Sequence, residues 1–337
     1  MTEATAIDVQ DLRIEILDRG RVLVPVDGVS FSAAAGSCYG LVGESGCGKS
    51  LTLRSLLGLL PRNARVAGGS LRLNRDGVLA PYTPASARGR GIAMIFQEPM
   101  TALNPLIRVG DLIGEAFRAT HPGERSRTAS RVRELMSEVG IPAPESRIRA
   151  YPHQLSGGLR QRVMIAMALA SEPRVLLCDE PTTALDVTVQ EQILLLLERI
   201  RRERGLTIIY VTHDLAVVSE ICDQVSVMYA GRVVESGPVA SVLNAPAHAY
   251  TVGLVRSIPK FQPRGSGPLE SIGGVPPDPR EFPSGCRFRP RCYLALDACA
   301  TAEHALAPVG SGHSSACIRS DELVRGHARV PEHDVAS

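Results

Sequence analysis

Gly43-Glu44-Ser45-Gly46-Cys47-Gly48-Lys49-Ser50 decides how this chain is read. It fits G-x-x-x-x-G-K-[ST], the pattern of a loop that cradles phosphates. Its flanks agree: Cys38 to Val42 reads as a buried strand, and Lys49 to Leu60 as a helix stopped by Pro61. Backbone N–H groups in such a loop must turn inward and approach oxygen anions closely, which a Cβ would obstruct. The helix behind it adds the positive end of its dipole. On this reading Gly43 through Ser50, with Leu51 behind them, bind a nucleoside triphosphate. Lys49 reaches its β- and γ-phosphates, and the Ser50 hydroxyl ligates Mg²⁺.

Further along, Arg174 to Glu180 is an apolar strand ending in two carboxylates. Asp179 suits a Mg²⁺ ligand, and Glu180 stands where a general base would orient and deprotonate water. Gln97, just after the strand Gly91 to Phe96, suits a γ-phosphate sensor and Mg²⁺ ligand. His213 ends the strand Thr207 to Thr212, where a neutral imidazole can hydrogen-bond the γ-phosphate. Ser156 is a natural N-cap. With Gly157 and Gly158 it presents N–H donors and a positive helix end to an anion.

The rest of the pattern is α/β with two interruptions. Short apolar runs at Ile7 to Val9, Ile14 to Leu17 and Val22 to Val26, punctuated by Gly20 and Gly28, predict antiparallel strands and turns. Gly69 to Leu73 reads as another strand. From Leu106 to about Ala150 the pattern turns helical, with an amphipathic helix around Arg125 to Val139 whose mixed charges predict a solvated face. Thr188 to Arg204 reads as a helix with a glycine stop, and Gln224 to Tyr229 and Arg232 to Glu235 as a hairpin through Ala230-Gly231. After Pro259 the composition shifts to Pro and Gly, a linker or irregular wrapping segment.

Composition bounds what remains. The chain has 337 residues, a net charge of +2, 4% aromatics and no Trp. That charge does not suggest a bulk nucleic-acid partner. No basic, apolar leader opens the chain, and the longest apolar run, Val163 to Ala170, is far below the ~18 residues of a spanning helix. The expectation is a soluble protein that meets a membrane only through a partner. Cys38, Cys47, Cys178 and Cys222 sit in apolar segments as single buried thiols, whereas Cys286, Cys292, Cys299 and Cys317 gather near the end. Their gaps of five, six and seventeen residues lack the close C-x₂₋₄-C pair of structural zinc sites. Four such thiolates suit a [4Fe–4S] cluster better, with zinc or no metal as the alternatives.

Taken together and in order, these residues resemble the nucleotide-binding subunit of an ABC transporter. Gly43 to Ser50 matches Walker A, Gln97 the Q-loop, Ser156 to Gly158 the signature, and Val175 to Glu180 Walker B. Ala184-Leu185-Asp186 matches the D-loop and His213 the switch. A narrower resemblance is to the oligopeptide/dipeptide/nickel importer ATPases. It rests on Phe96 to Pro105, on Tyr151-Pro152-His153-Gln154-Leu155, and on the tail Gly285-Cys286-Arg287-Phe288-Arg289-Pro290-Arg291-Cys292.

The resemblance implies a P-loop NTPase fold of class α/β: a RecA-like core, an antiparallel β subdomain, an α-helical subdomain, and a C-terminal Cys-containing extension. Residues 1–258 would form the ABC nucleotide-binding domain, with the helical subdomain at about 98–155, and 259–337 the linker and four-Cys extension. ATP would lie between two subunits, with Ser156, Gly157 and Gly158 of the other chain closing over it. The implied partners are a second, related ATPase subunit, two membrane permeases and an external solute-binding protein. The implied place is the cytoplasmic face of the membrane. A soluble ABC ATPase acting on nucleic acid or ribosomes is the alternative. Two departures stand out: no aromatic precedes Phe31 to stack on adenine, leaving Val22 to Val24 for that contact, and Leu159 replaces the commoner Gln of the signature.

Overall fold

The computed structural model describes residues 4–98, 102–183, 185–258, 272–301 and 305–326. Pro99, Met100, Thr101, Ala184, His304 and most of the Pro/Gly stretch fall outside them. In place of the short apolar runs stand two long antiparallel strands, β1 (Thr5–Asp18) and β2 (Arg21–Ala34). Gly20 turns the chain between them, but Gly28 lies within β2, where shifts of register absorb it as a bulge rather than a turn. Next come β3 (Cys38–Val42), β4 (Ala64–Arg75), β5 (Val78–Pro81) and β6 (Ile92–Ile95). The first sheet is antiparallel in the order β2-β1-β4-β5.

The second sheet holds the chemistry. It adds β7 (Val175–Asp179), β8 (Thr207–Thr212), β9 (Gln224–Tyr229), β10 (Arg232–Pro238), β11 (Ala307–Gly310) and β12 (His313–Ser315). Their order is β11-β12-β10-β9-β3-β8-β7-β6, with β9, β3, β8, β7 and β6 parallel. Every residue of β3, β6, β7 and β8 is buried, which explains the apolar runs at their centres. Parallel strands deliver their C-terminal ends to one edge of the sheet, the usual crevice for a ligand in such folds. Gly43, Glu180 and His213 follow immediately on those ends, and Gln97 one residue later.

The helix after the phosphate loop spans Lys49–Leu56, four residues short of the expected Leu60. The N–H groups of Leu57 and Gly58 close onto Arg54 and Ser55, ending it before Pro61 can. The helical insert is built from Val109–Thr120 and Thr128–Glu138, packed on the helix Gly157–Leu169 through Ile113, Leu135, Met136 and Val163. Its arginines are engaged locally: Arg131 with Glu134 and Glu172, Arg133 with Glu145. The predicted solvated, mixed-charge face is what forms. Cys38 and Cys222 are not solitary thiols, since their sulfurs lie 3.6 Å apart.

The C-terminal strands β11 and β12 extend the main sheet beyond β10. Glu235, fully buried on β10, pins this junction. It accepts the backbone N–H groups of Ala247 and His248, each at 2.8 Å, and faces His313 Nε2 at 2.8 Å. Leaving a buried polar atom of this kind without its partner costs roughly 1–3 kcal/mol.

Candidate active site

The loop after β3 is tight against its neighbours. A Cβ on Gly43 would stand 2.1 Å from the Met228 carbonyl oxygen at the end of β9, so only glycine fits. Lys49, 4% exposed, folds its ammonium into the loop, donating to the carbonyls of Gly43 at 2.6 Å and Glu44 at 3.1 Å. A bound triphosphate would offer that ammonium anionic oxygens in place of these neutral ones. Ser45 and Gly46 are exposed at the rim, while Cys47 is buried and its thiol pushed up by that burial. Leu51 packs its side chain toward the core behind the loop.

Ser50 and Asp179 meet as expected. The Ser50 hydroxyl donates to Asp179 Oδ1 at 2.7 Å. Asp179 Oδ2 is buried and accepts no hydrogen bond, with Arg54 Nη2 no nearer than 3.9 Å. Burial raises the Asp179 carboxyl above the ordinary range, against the opposing pull of Ser50 and Arg54. A buried carboxylate oxygen without a donor is costly, and a hard divalent cation would satisfy it. The donor set therefore fits Mg²⁺ held by Ser50 and Asp179. Ile95 of β6 pairs with Cys178, so the chain leaves β6 toward Gln97 at the same end of the sheet as Asp179. Such an ion would neutralise charge on the β- and γ-phosphate oxygens.

Glu180 is 9% exposed and adopts φ 45, an uncommon left-handed conformation for a residue with a side chain. Its N–H bonds the Val211 carbonyl at 3.0 Å, holding the turn against β8. Strain of about 1–3 kcal/mol at such a position persists when the surroundings impose it, as functional sites do. Its Oε2 accepts the Thr183 hydroxyl at 3.0 Å and lies 3.1 Å from His213 Nδ1. The imidazole and the carboxylate are thus neighbours at the ends of β8 and β7. Thr183 escaped the sequence reading, because a hydroxyl three residues beyond a carboxylate carries no distinctive pattern.

The turn Ser156-Gly157-Gly158 opens the helix Gly157–Leu169, with Ser156 Oγ accepting the Leu159 N–H at 3.4 Å. Ser156 and Gly157 are exposed. A Cβ on Gly158 would meet Val189 Cγ1 at 2.6 Å, which fixes glycine there by close packing. Leu159 turns toward the apolar core. Val22, offered as a substitute base contact, is 59% exposed.

The four late cysteines line one cavity, together with His248, Phe288 and Leu294. Burial raises the thiols of Cys286 and Cys317, and pushes that of Cys292 up to about 11. Among the described residues no three His, Cys, Asp or Glu side chains stand close enough to hold a single metal ion. Also among them, no helix is long and apolar enough to cross a membrane.

A phosphate loop and two strand-end carboxylates on a parallel sheet, with a capped glycine turn opening the helix against which the helical insert packs, define an ATP-binding cassette. The family profile described as ABC transporter matches residues 26–183, and that of the oligopeptide/dipeptide transporter C-terminal region matches 234–299. A putative peptide import ATP-binding protein of Brucella ovis is 44% identical over 96% of this chain and 99% of its own length. The dipeptide transport ATP-binding protein DppD of Haemophilus influenzae is 44% identical over 90% of this chain and 93% of its own. The oligopeptide transport ATP-binding protein OppD of Mycobacterium tuberculosis is 45% identical over 96% of this chain, which spans 53% of it. Among solved structures, cbiO1 of Clostridium perfringens, part of the cbiONQ transporter complex, superposes with a TM-score of 0.61 at 28% identity, covering 72% of this chain and 92% of its own. A dimeric post-hydrolysis structure of the cassette MJ0796 with ADP and Pi gives 0.60 at 25%, covering 69% and 98%. This chain belongs to the ABC transporter family, in its oligopeptide/dipeptide branch, and is an ATPase that uses ATP and Mg²⁺.

Proposed function

We propose that the chain is the ATP-hydrolysing subunit that powers import of peptides, or a related small solute, through an ABC transporter. The observation carrying this is the split of the site: Lys49, Ser50, Asp179 and Glu180 share one sheet edge, while Ser156 and Gly157 stand exposed on a helix start. Half of a phosphate cage pointing outward makes sense when a second subunit supplies the other half. ATP is then held by Gly43 to Ser50 of one chain and covered by Ser156 to Gly158 of the next. Glu180 activates the water, Gln97 senses the γ-phosphate, and His213 moves from Glu180 to the phosphate when the site closes. Phe96 and Leu106, the latter 83% exposed, flank the Q-loop and offer an apolar landing for a permease. The partners are a second related ATPase, two permeases and an external binding protein, which places the chain on the cytoplasmic face of the membrane. Co-expressed with a pair of peptide-importer permeases, the chain should support ATP-dependent uptake of labelled peptide into vesicles. Recovery with RNA or ribosomes and no permease would end this reading.

The four thiols around one cavity support a [4Fe–4S] cluster as a second, structural component. Each cysteine of a cubane binds a different iron, so the sulfurs need not crowd as they would around one zinc. Anaerobically purified protein should be brown and contain iron and labile sulfide, and Cys292→Ser should lose both. Colourless protein without iron would refute the cluster, and stoichiometric zinc would replace it.

A further inference from the structure

The segment between Cys286 and Cys292 reaches back to the phosphate loop. Arg291, its side chain 4% exposed, grips the Glu44 carboxylate with both guanidinium ends, at 2.6 and 3.0 Å. Its Nε donates to the Gly273 carbonyl at 2.8 Å, and its other contacts are Ile272 O and the Tyr229 hydroxyl, both at 3.3 Å. The Tyr250 hydroxyl accepts the Glu44 N–H at 2.8 Å from the other side. Behind them Tyr229, Tyr250 and Phe288 pack ring on ring, with centroids 4.7 to 5.4 Å apart. Phe288 also lines the cavity of the four cysteines.

Glu44 is an awkward residue for an ATP site. Its carbonyl faces the Lys49 ammonium, so its backbone sets where that charge sits. Its side chain adds a negative charge beside the place a triphosphate must enter. A buried, two-pronged arginine answers both problems: it neutralises the carboxylate and fixes the loop's second residue in register.

We propose that Arg291 is a positioning residue for ATP, through which the C-terminal extension braces and neutralises the phosphate loop. The inference rests on the ATP-site reading above. It is tested by titrating the full-length chain with a fluorescent ATP analogue and measuring turnover of the assembled transporter at saturating ATP. Arg291→Met should weaken binding about tenfold, since it leaves a partly buried carboxylate uncompensated, while turnover at saturation changes less than about twofold. Combined with Glu44→Gln, the same substitution should cost much less, because no stranded charge remains. Arg291→Lys keeps the charge but loses the fork; it should fall between, and it decides the matter if the Met variant does not fold. Wild-type affinity in the variant that folds, equal losses with and without Glu44→Gln, or a loss confined to turnover would each overturn the proposal. If the wild-type chain itself binds no analogue, it is the ATP site that fails rather than the brace.

Discussion

Glu180→Gln should bind ATP as tightly as the native chain yet turn it over at least ~100-fold more slowly, the lower end for loss of a general base. The substitution keeps the size of the side chain, and an amide can still accept the Thr183 hydroxyl through its oxygen. It removes the basic oxygen pair that could take a proton from water. Binding survives because Lys49, Ser50 and the loop N–H groups lie on separate elements from Glu180. Single-turnover hydrolysis measured in the assembled transporter separates the two effects. A near-native rate would mean that another group serves as base, and His213 would be the first to examine, since its Nδ1 lies 3.1 Å from Glu180.

What the sequence discloses, and what it hides, follows from how local each signal is. Buried parallel strands are apolar through their middles, so β3, β7 and β8 announce themselves, and a glycine-rich turn between strand and helix can be read without tertiary knowledge. β1 and β2 were harder, because bulges interrupt their alternation and make two long strands resemble several short ones. The helix after Lys49 ends by backbone bonding at Leu57 and Gly58, an event with no stronger sequence mark than the proline that follows. Contacts between distant segments were invisible. Arg291 and Glu44 lie 247 positions apart, and neither residue type stands out in its own neighbourhood. The same holds for Glu235 and His313, which join the late strands to the main sheet. Local patterns single out the candidate reacting groups, whereas the supports that hold them come from residues far apart in the chain.

Lys49→Ala should lose nucleotide affinity itself. The ammonium is buried and donates to two loop carbonyls. Charge-assisted hydrogen bonds of this kind contribute about 1.5–3 kcal/mol each, so removing the donor should raise the dissociation constant roughly 10- to 100-fold or more. The substitution leaves the carbonyls of Gly43 and Glu44 without the ammonium that they accept from, so the integrity of the fold is checked beside the affinity. Equilibrium titration with the ATP analogue reads the effect directly, and a melting curve checks that the chain is intact. The contrast with Glu180→Gln is the informative part: one variant should bind and fail to cut, the other should fail to bind. If both lose affinity equally, the loop and the carboxylate do not divide the work between holding and cutting. If Lys49→Ala binds as the native chain does, the phosphates lie somewhere other than the turn between β3 and its helix.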